Sequence, residues 1–192
     1  MNTEVTEYVW DPLVRLFHWS LVTAYAVAWA TGDDWMTLHE FAGYVIGGLL
    51  LFRLSWGVIG TRHARFGDFV RPPREVIAYL MDVVRGRPRR YVGHNPAGGA
   101  MVVLLLVTLL LTVVTGVLAL GGEEFRGPAA GLAIRMGDDG AEFFEEAHEV
   151  LANFTLLLIF AHVAGVILAS FQHHENLVRA MFTGRKPRAT NH

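Results

Sequence analysis

Four histidines stand in or at the edge of strongly apolar stretches: His18, His39, His148 and His162. An ionisable side chain is costly in hydrocarbon and by default marks a functional site. His148 and His162 are 14 residues apart, which in an α-helix is about 21 Å of rise and roughly 40° short of four full turns, so the two imidazoles share one face at two depths. Between antiparallel helices His39 can meet His148 at one level and His18 can meet His162 at the other, giving two opposed imidazole pairs. Two axial imidazoles on one iron suit a six-coordinate haem that transfers electrons rather than one that activates oxygen. A tetrahedral zinc site needs four ligands at one depth. With no cysteine in the chain, and only Glu40 and Glu149 flanking the histidines, that set is not supplied. Single histidines that pack or snorkel to the interface are the bland alternative, and it leaves two depth-matched pairs unaccounted for.

The same interval recurs in the second apolar stretch, where Arg53 follows His39 by 14 residues and so falls at the level of the His18–His162 pair. There it either clamps haem propionates or snorkels to the interface. Arg15 lies about one turn before His18 and joins the same level. Gly43 and Gly47 sit one and two turns from His39 on its stripe, where a missing side chain admits either a flat macrocycle or a neighbouring helix.

These residues need membrane-spanning helices to position them. The chain is 192 residues long and 53% hydrophobic, more apolar than an ordinary soluble domain. A span takes about 20 mainly apolar residues, and the stretches 12–30, 39–59, 100–120 and 148–171 qualify. The fold class expected is therefore all-α: a single membrane-embedded domain built as a four-helix bundle. Absence of cysteine excludes disulfides, iron–sulfur ligation and covalent haem attachment, so any haem is held as b-type. Glu4, Glu7 and Asp11 precede the first apolar run, the wrong sign for a cleaved signal peptide, and that run reads as a retained helix.

Arginines set the orientation. Arg62, Arg65, Arg71, Arg74, Arg85, Arg87, Arg89 and Arg90 crowd the 61–95 connection, and Arg179, Arg185, Lys186 and Arg188 follow the last span. The 121–147 connection carries Glu123, Glu124, Asp138, Asp139, Glu142, Glu145 and Glu146 against only Arg126 and Arg135. Positive charge is kept inside, so both termini are expected in the cytoplasm and the acidic loop outside. Within the arginine-rich connection, PPREVIAYLMDVV places Val76, Ile77, Leu80, Met81 and Val84 on one face of an interfacial amphipathic helix too short to span.

RLFHW around His18, LHEFAGYVIGGLLLFRLSWGVIG about His39, YVGHNPAGG before the third span, and HEVLANFTLLLIFAHVAGV followed by HHENLVRAMFTGRK cover most of the chain. In this order they resemble the bacterial cytochrome b561 and nickel-iron hydrogenase b-type cytochrome family, which includes cytochrome subunits of quinone-linked hydrogenases and formate dehydrogenases. The resemblance implies two non-covalent b-type haems, with His39 and His148 ligating the outer one and His18 and His162 the inner one. It implies a multi-pass protein of the bacterial inner membrane that exchanges electrons between quinone or quinol and a periplasmic electron carrier or membrane oxidoreductase complex. No nucleic-acid partner is expected.

His94 and Asn95 close the inner mouth of the third span, and there either contact a propionate or quinone or simply cap the helix and meet water. His63, His173 and His174 fall in basic segments as solvated interfacial residues, and His192 is expected to be a disordered terminal residue. Two other readings stay open. One is a stand-alone superoxide:quinone oxidoreductase, against which an acidic outer face would steer a small anion away. The other is a non-redox membrane subunit that binds a substrate or proton.

Overall fold

The computed structural model describes residues 6–32, 34–123 and 125–188. The expectations for Glu4, Glu124 and His192, and for the side chain of Glu123, fall outside them. The chain is an all-α membrane bundle. A three-residue strand β1 (Thr6–Tyr8) leads into α1 (Pro12–Thr31), α2 (Met36–Ile59), a short turn of 3₁₀ helix (Arg62–Ala64), α3 (Phe66–Phe69), α4 (Pro73–Val84), α5 (Pro96–Glu123), α6 (Ala130–His173), α7 (Leu177–Thr183) and strand β2 (Arg185–Pro187). Four of these helices, α1, α2, α5 and α6, are long and apolar enough to cross a membrane.

Local chemistry explains where they begin. Asp11 caps α1, its carboxylate accepting from the backbone N–H of Val14 at 2.9 Å, with Pro12 in the first helical position where it has no N–H to waste. Asn95 caps α5 in the same way through Gly98 N–H at 2.7 Å. The hydroxyls of Thr108, Thr112 and Thr115 donate to carbonyls four residues back, at 3.0, 2.8 and 2.9 Å, which satisfies them where no water is at hand.

The structure departs from the sequence expectation at the acidic connection. Rather than a loop over 121–147, α5 runs to Glu123 and α6 already begins at Ala130. Glutamate is a good helix former, and a hydropathy pattern registers only the apolar part of such a helix. The one break is at Gly137, whose φ of 71° and ψ of −174° suit glycine alone. Pairing of β1 with β2, Thr6 opposite Pro187 and Tyr8 opposite Arg185, was also not foreseen, because three-residue strands carry no usable periodicity.

The chain divides into two compact units. The first comprises residues 1–19, 52–103 and 160–192. Its core gathers Val9, Trp10 and Ala180, with Val92 and Met181 against them. Beside it the buried Glu175 holds both Arg90 and Lys186, the latter at 3.2 Å, and Lys186 also donates to the Val92 carbonyl at 3.0 Å. Burial pushes the Lys186 ammonium below its ordinary range, while Glu175 pulls it back up. Helix α4 lies in this unit with Tyr79 buried against Tyr91. Its opposite side exposes Ile77, Leu80, Met81 and Val84, as an interfacial helix would.

The second unit comprises residues 20–51 and 104–159. Small side chains, Ala24, Ala28, Ala42 and Ala119, are buried there beside Ile46, Leu50, Leu109 and Leu158, the composition that lets helices approach closely in a bilayer. Tyr25 reaches from α1 to the Ala152 carbonyl of α6 at 3.0 Å.

Candidate functional site

His39 and His148 come together in the second unit, their ring centroids 5.8 Å apart and their planes at 86°. His39 presents Nδ1 to the Ala28 carbonyl and His148 presents Nδ1 to the Thr112 carbonyl, each at 2.8 Å. A carbonyl oxygen only accepts, so each Nδ1 must carry the proton, and each Nε2 is left with a free lone pair. Two metal–nitrogen bonds of about 2 Å, with the half-widths of two imidazoles, span about 6 Å, which matches the observed ring separation. Among the described residues no cluster of three or more His, Asp or Glu could hold a bare metal ion. A macrocycle that brings its own equatorial nitrogens is the kind of group two imidazoles suffice for.

The packing of His148 depends on Gly116, where an added Cβ would lie 2.8 Å from the ring. At Gly47 a Cβ would sit 3.4 Å from Val113, so this glycine packs helix on helix. At Gly43 a Cβ would meet nothing within 4 Å, which leaves room on the His39 stripe for a flat group. Glu40, beside His39, is tied to Arg126 at 2.9 Å, and Glu149, beside His148, is exposed.

His18 and His162 belong to the first unit, close enough to influence each other electrostatically. Among the described residues of the same unit, Arg15 Nε, His18 Nδ1, Arg53 Nη1 and His94 Nδ1 are buried without a hydrogen-bond partner, while Arg15 Nη1 donates to the Phe182 carbonyl. Arg53 is only 3% exposed. Its guanidinium lies 4.9 Å from the Phe66 ring centroid and 5.9 Å from that of Phe69. Phe66 can lie there because Gly57 has no side chain; a Cβ would come within 2.0 Å of the ring. Cation–π contacts contribute about 0.5–2 kcal/mol, less than the several kcal/mol that removing a guanidinium from water costs. Asp11 supplies a field, but its carboxylate is taken up by Thr61, Val14 and Trp56. Burial would raise the Asp11 pKa; the hydrogen bonds from Thr61, Val14, Trp56 and Leu13 outweigh it and hold the carboxyl below its usual range. The arrangement is therefore short of an anion, and the carboxylates of a haem would supply one.

His94 is wedged between Trp10 and Phe69, at 4.6 and 4.5 Å between ring centroids. Burial, and then the positive charges of Arg53 and Lys186, push its pKa down to about 3. It is a neutral imidazole at physiological pH. Asn95 commits its side-chain oxygen to capping α5. Of the other histidines, His63 is bound to Asp68 at 2.8 Å, and His173 and His174 stand at the end of α6.

Sequence reasoning did not single out Gly116, Gly57, Phe66, Phe69 or Trp10, nor the carbonyls of Ala28 and Thr112. Gly116 had a signal: it is the single glycine within the long apolar run of the third span.

The family model for prokaryotic cytochrome b561 matches residues 9–184. A probable Ni/Fe-hydrogenase B-type cytochrome subunit of Azotobacter vinelandii is 28% identical over 146 residues, 60% of this chain and 60% of that protein. The corresponding protein of Cupriavidus necator is 24% identical over an alignment 212 positions long, gaps included, that covers 92% of this chain and 85% of that one. A probable Ni/Fe-hydrogenase 1 B-type cytochrome subunit of Escherichia coli K12 is 26% identical over 141 residues, 58% of this chain and 59% of that one. Against the Azotobacter relative, the aligned region is thus less than two thirds of its length. No solved structure matches.

Proposed function

Because the chain belongs to the prokaryotic cytochrome b561 family, we propose that it is a dihaem b-type membrane cytochrome that passes electrons between the quinone pool and a redox partner. The observation that carries this reading is the His39–His148 pair, with both tautomers set by backbone carbonyls and both Nε2 lone pairs left free at a spacing suited to one metal. His18 and His162 would hold the second haem. Arg53 and Arg15, with enclosed nitrogens lacking partners, would hold its carboxylates. Bound haem would supply one-electron iron chemistry; the chain's own part is to hold the imidazoles, bury the charge and exclude water.

The arginine-rich 61–95 connection and basic tail favour a cytoplasmic side for both, in a bacterial inner membrane. Similarity to hydrogenase cytochrome subunits supports a membrane oxidoreductase complex as the partner. Quinone exchange is assigned to the His18–His162 side, where Arg15, His94 and Asn95 offer polar contacts. The test is the haem-to-protein ratio and quinol reduction of the purified chain. Two reducible b-type haems are expected, and a His94→Leu variant should keep both while slowing reduction by quinol. Absence of reducible b-type bands defeats the cytochrome reading; a ratio of one defeats the dihaem reading. Unchanged quinol kinetics in the variant moves the quinone elsewhere.

A further inference from the structure

One side of helix α4 is fixed to its own unit. Tyr79 is buried and meets Tyr91 edge-on, with ring centroids 5.8 Å apart, and the Val83 carbonyl accepts from Gln172 Nε2 at 3.2 Å. On the other side Leu80, Val84, Ile77 and Met81 are all exposed and fall within an arc of about 100°. Arg74 and Arg85, exposed as well, continue that arc over roughly the next 40°. Glu75 and Asp82 lie beyond them. Arg85 Nη1 is 3.8 Å from the Asp82 carboxylate, too far for a hydrogen bond.

Such an apolar arc is costly to leave in water, and the place of α4 between two spans identifies its cover. Helix α2 ends at Ile59 and α5 begins at Pro96, so the connection leaves and re-enters the bilayer at one face. A helix there lies with its apolar arc among acyl chains, and arginines at the border of the arc reach up to the headgroups. Charge selects among those headgroups. Residues 61–95 hold eight arginines against Asp68, Glu75 and Asp82, a net charge of +5 with histidine neutral, and Arg87 and Arg89 just after α4 are exposed. Guanidinium pairs with phosphate oxygens through two parallel hydrogen bonds. A zwitterionic headgroup offsets its phosphate with its own cation, whereas an anionic one leaves the charge to the protein.

We propose that α4 is a binding site for anionic phospholipid, with Ile77, Leu80, Met81 and Val84 among the acyl chains and Arg74 and Arg85 on the headgroup phosphate. Lipid held there braces Tyr79 against Tyr91, three residues before the buried His94.

The chain has no cysteine, so Val84→Cys, at a position 88% exposed, gives a single labelling site for a fluorophore in the full-length protein. The labelled protein is placed in nanodiscs of fixed composition, phosphatidylcholine with phosphatidylglycerol, in which only the species carrying a spin-label quencher is exchanged. Quenching by spin-labelled phosphatidylglycerol should exceed that by spin-labelled phosphatidylcholine about threefold at low salt. The preference should fall towards one as salt is raised, and in the Arg74→Gln, Arg85→Gln double variant, while quenching by lipid as such persists. Ile77→Cys should report the same. Three results overturn the proposal: quenching by aqueous iodide but by neither lipid, equal quenching by the two lipids at low salt, or a preference that survives the double substitution.

Discussion

Gly116 on α5 makes the seat for the His148 imidazole: a Cβ there would lie 2.8 Å from Cε1 and Nδ1 of the ring, whose Nδ1–H is held by the Thr112 carbonyl one turn away. Tethered on one side, the ring cannot slide clear without giving up that hydrogen bond. Gly116→Ala should therefore displace His148 and cost about 1–3 kcal/mol in overpacking. The expected result is loss of about half of the bound haem, the His18–His162 site being retained, as read by haem-to-protein ratio. Full haem content with an unshifted spectrum would mean that α5 relaxes around the methyl group.

The proposed ligand pairs predict loss in pairs. His39→Ala and His148→Ala should each remove the same haem, and His18→Ala and His162→Ala the other, because each iron would lose one of its two proposed protein ligands. Redox titration of the four variants distinguishes the pairs by which step disappears. Any other pairing, such as His18 with His39, would overturn the assignment.

Much of this was legible in the sequence because bilayer physics leaves a coarse signal. Four apolar runs must be helices, since no other open structure satisfies its backbone in lipid, and a 14-residue interval on a helix fixes which side chains share a face. What was not legible is what depends on another element. That the Ala28 and Thr112 carbonyls accept hydrogen bonds from imidazoles, that Gly57 admits Phe66 over Arg53, and that Trp10 and Phe69 enclose His94 are facts of packing between different segments. The acidic part of α6 escaped notice for a different reason. Between Asp138 and His148 it is a charged helix, and hydropathy registers only where a helix is apolar.

Asp11 should matter most to acid stability. Burial opposes its ionisation, yet the hydrogen bonds from Thr61, Val14 and Trp56 win and lower its pKa in the fold. A depressed carboxyl contributes stability that is present above its unfolded pKa, about 3.9, and lost as pH falls through the folded value. Wild type should thus lose stability below about pH 4, and Asp11→Asn should flatten that part of the profile. At neutral pH Asp11→Ala should cost about 1–3 kcal/mol, because the Val14 N–H and the half-buried Trp56 Nε1–H lose their acceptor. Thermal unfolding in detergent across pH 3 to 7 reads both; an acid limb unchanged in Asp11→Asn would assign it to other carboxylates.

The exposed side of α6 makes a sharper prediction than an acidic loop would. Asp138, Glu142, Glu145 and Glu149 recur at helical spacing, with Asp139 and Glu146 beside them, and all six are exposed. On a helix they fall within an arc of about 120°, and a fixed arc of charge can steer an encounter in a way that a mobile loop cannot. The partner face expected is cationic. Exposed charges act mainly on the association rate and fade once ionic strength shortens the Debye length to about 10 Å near 0.1 M. Replacing Asp138, Glu142, Glu145 and Glu146 with their amides should slow bimolecular electron exchange with a basic protein carrier about tenfold at low salt. The difference should close as salt is raised, and haem content should be unaffected because none of the four is a proposed ligand. Stopped-flow traces at several ionic strengths separate the possibilities. A rate deficit that persists at high salt would point to lost contacts or altered structure rather than steering. No deficit at low salt, with haem intact, would reduce this face to a solvated helix surface.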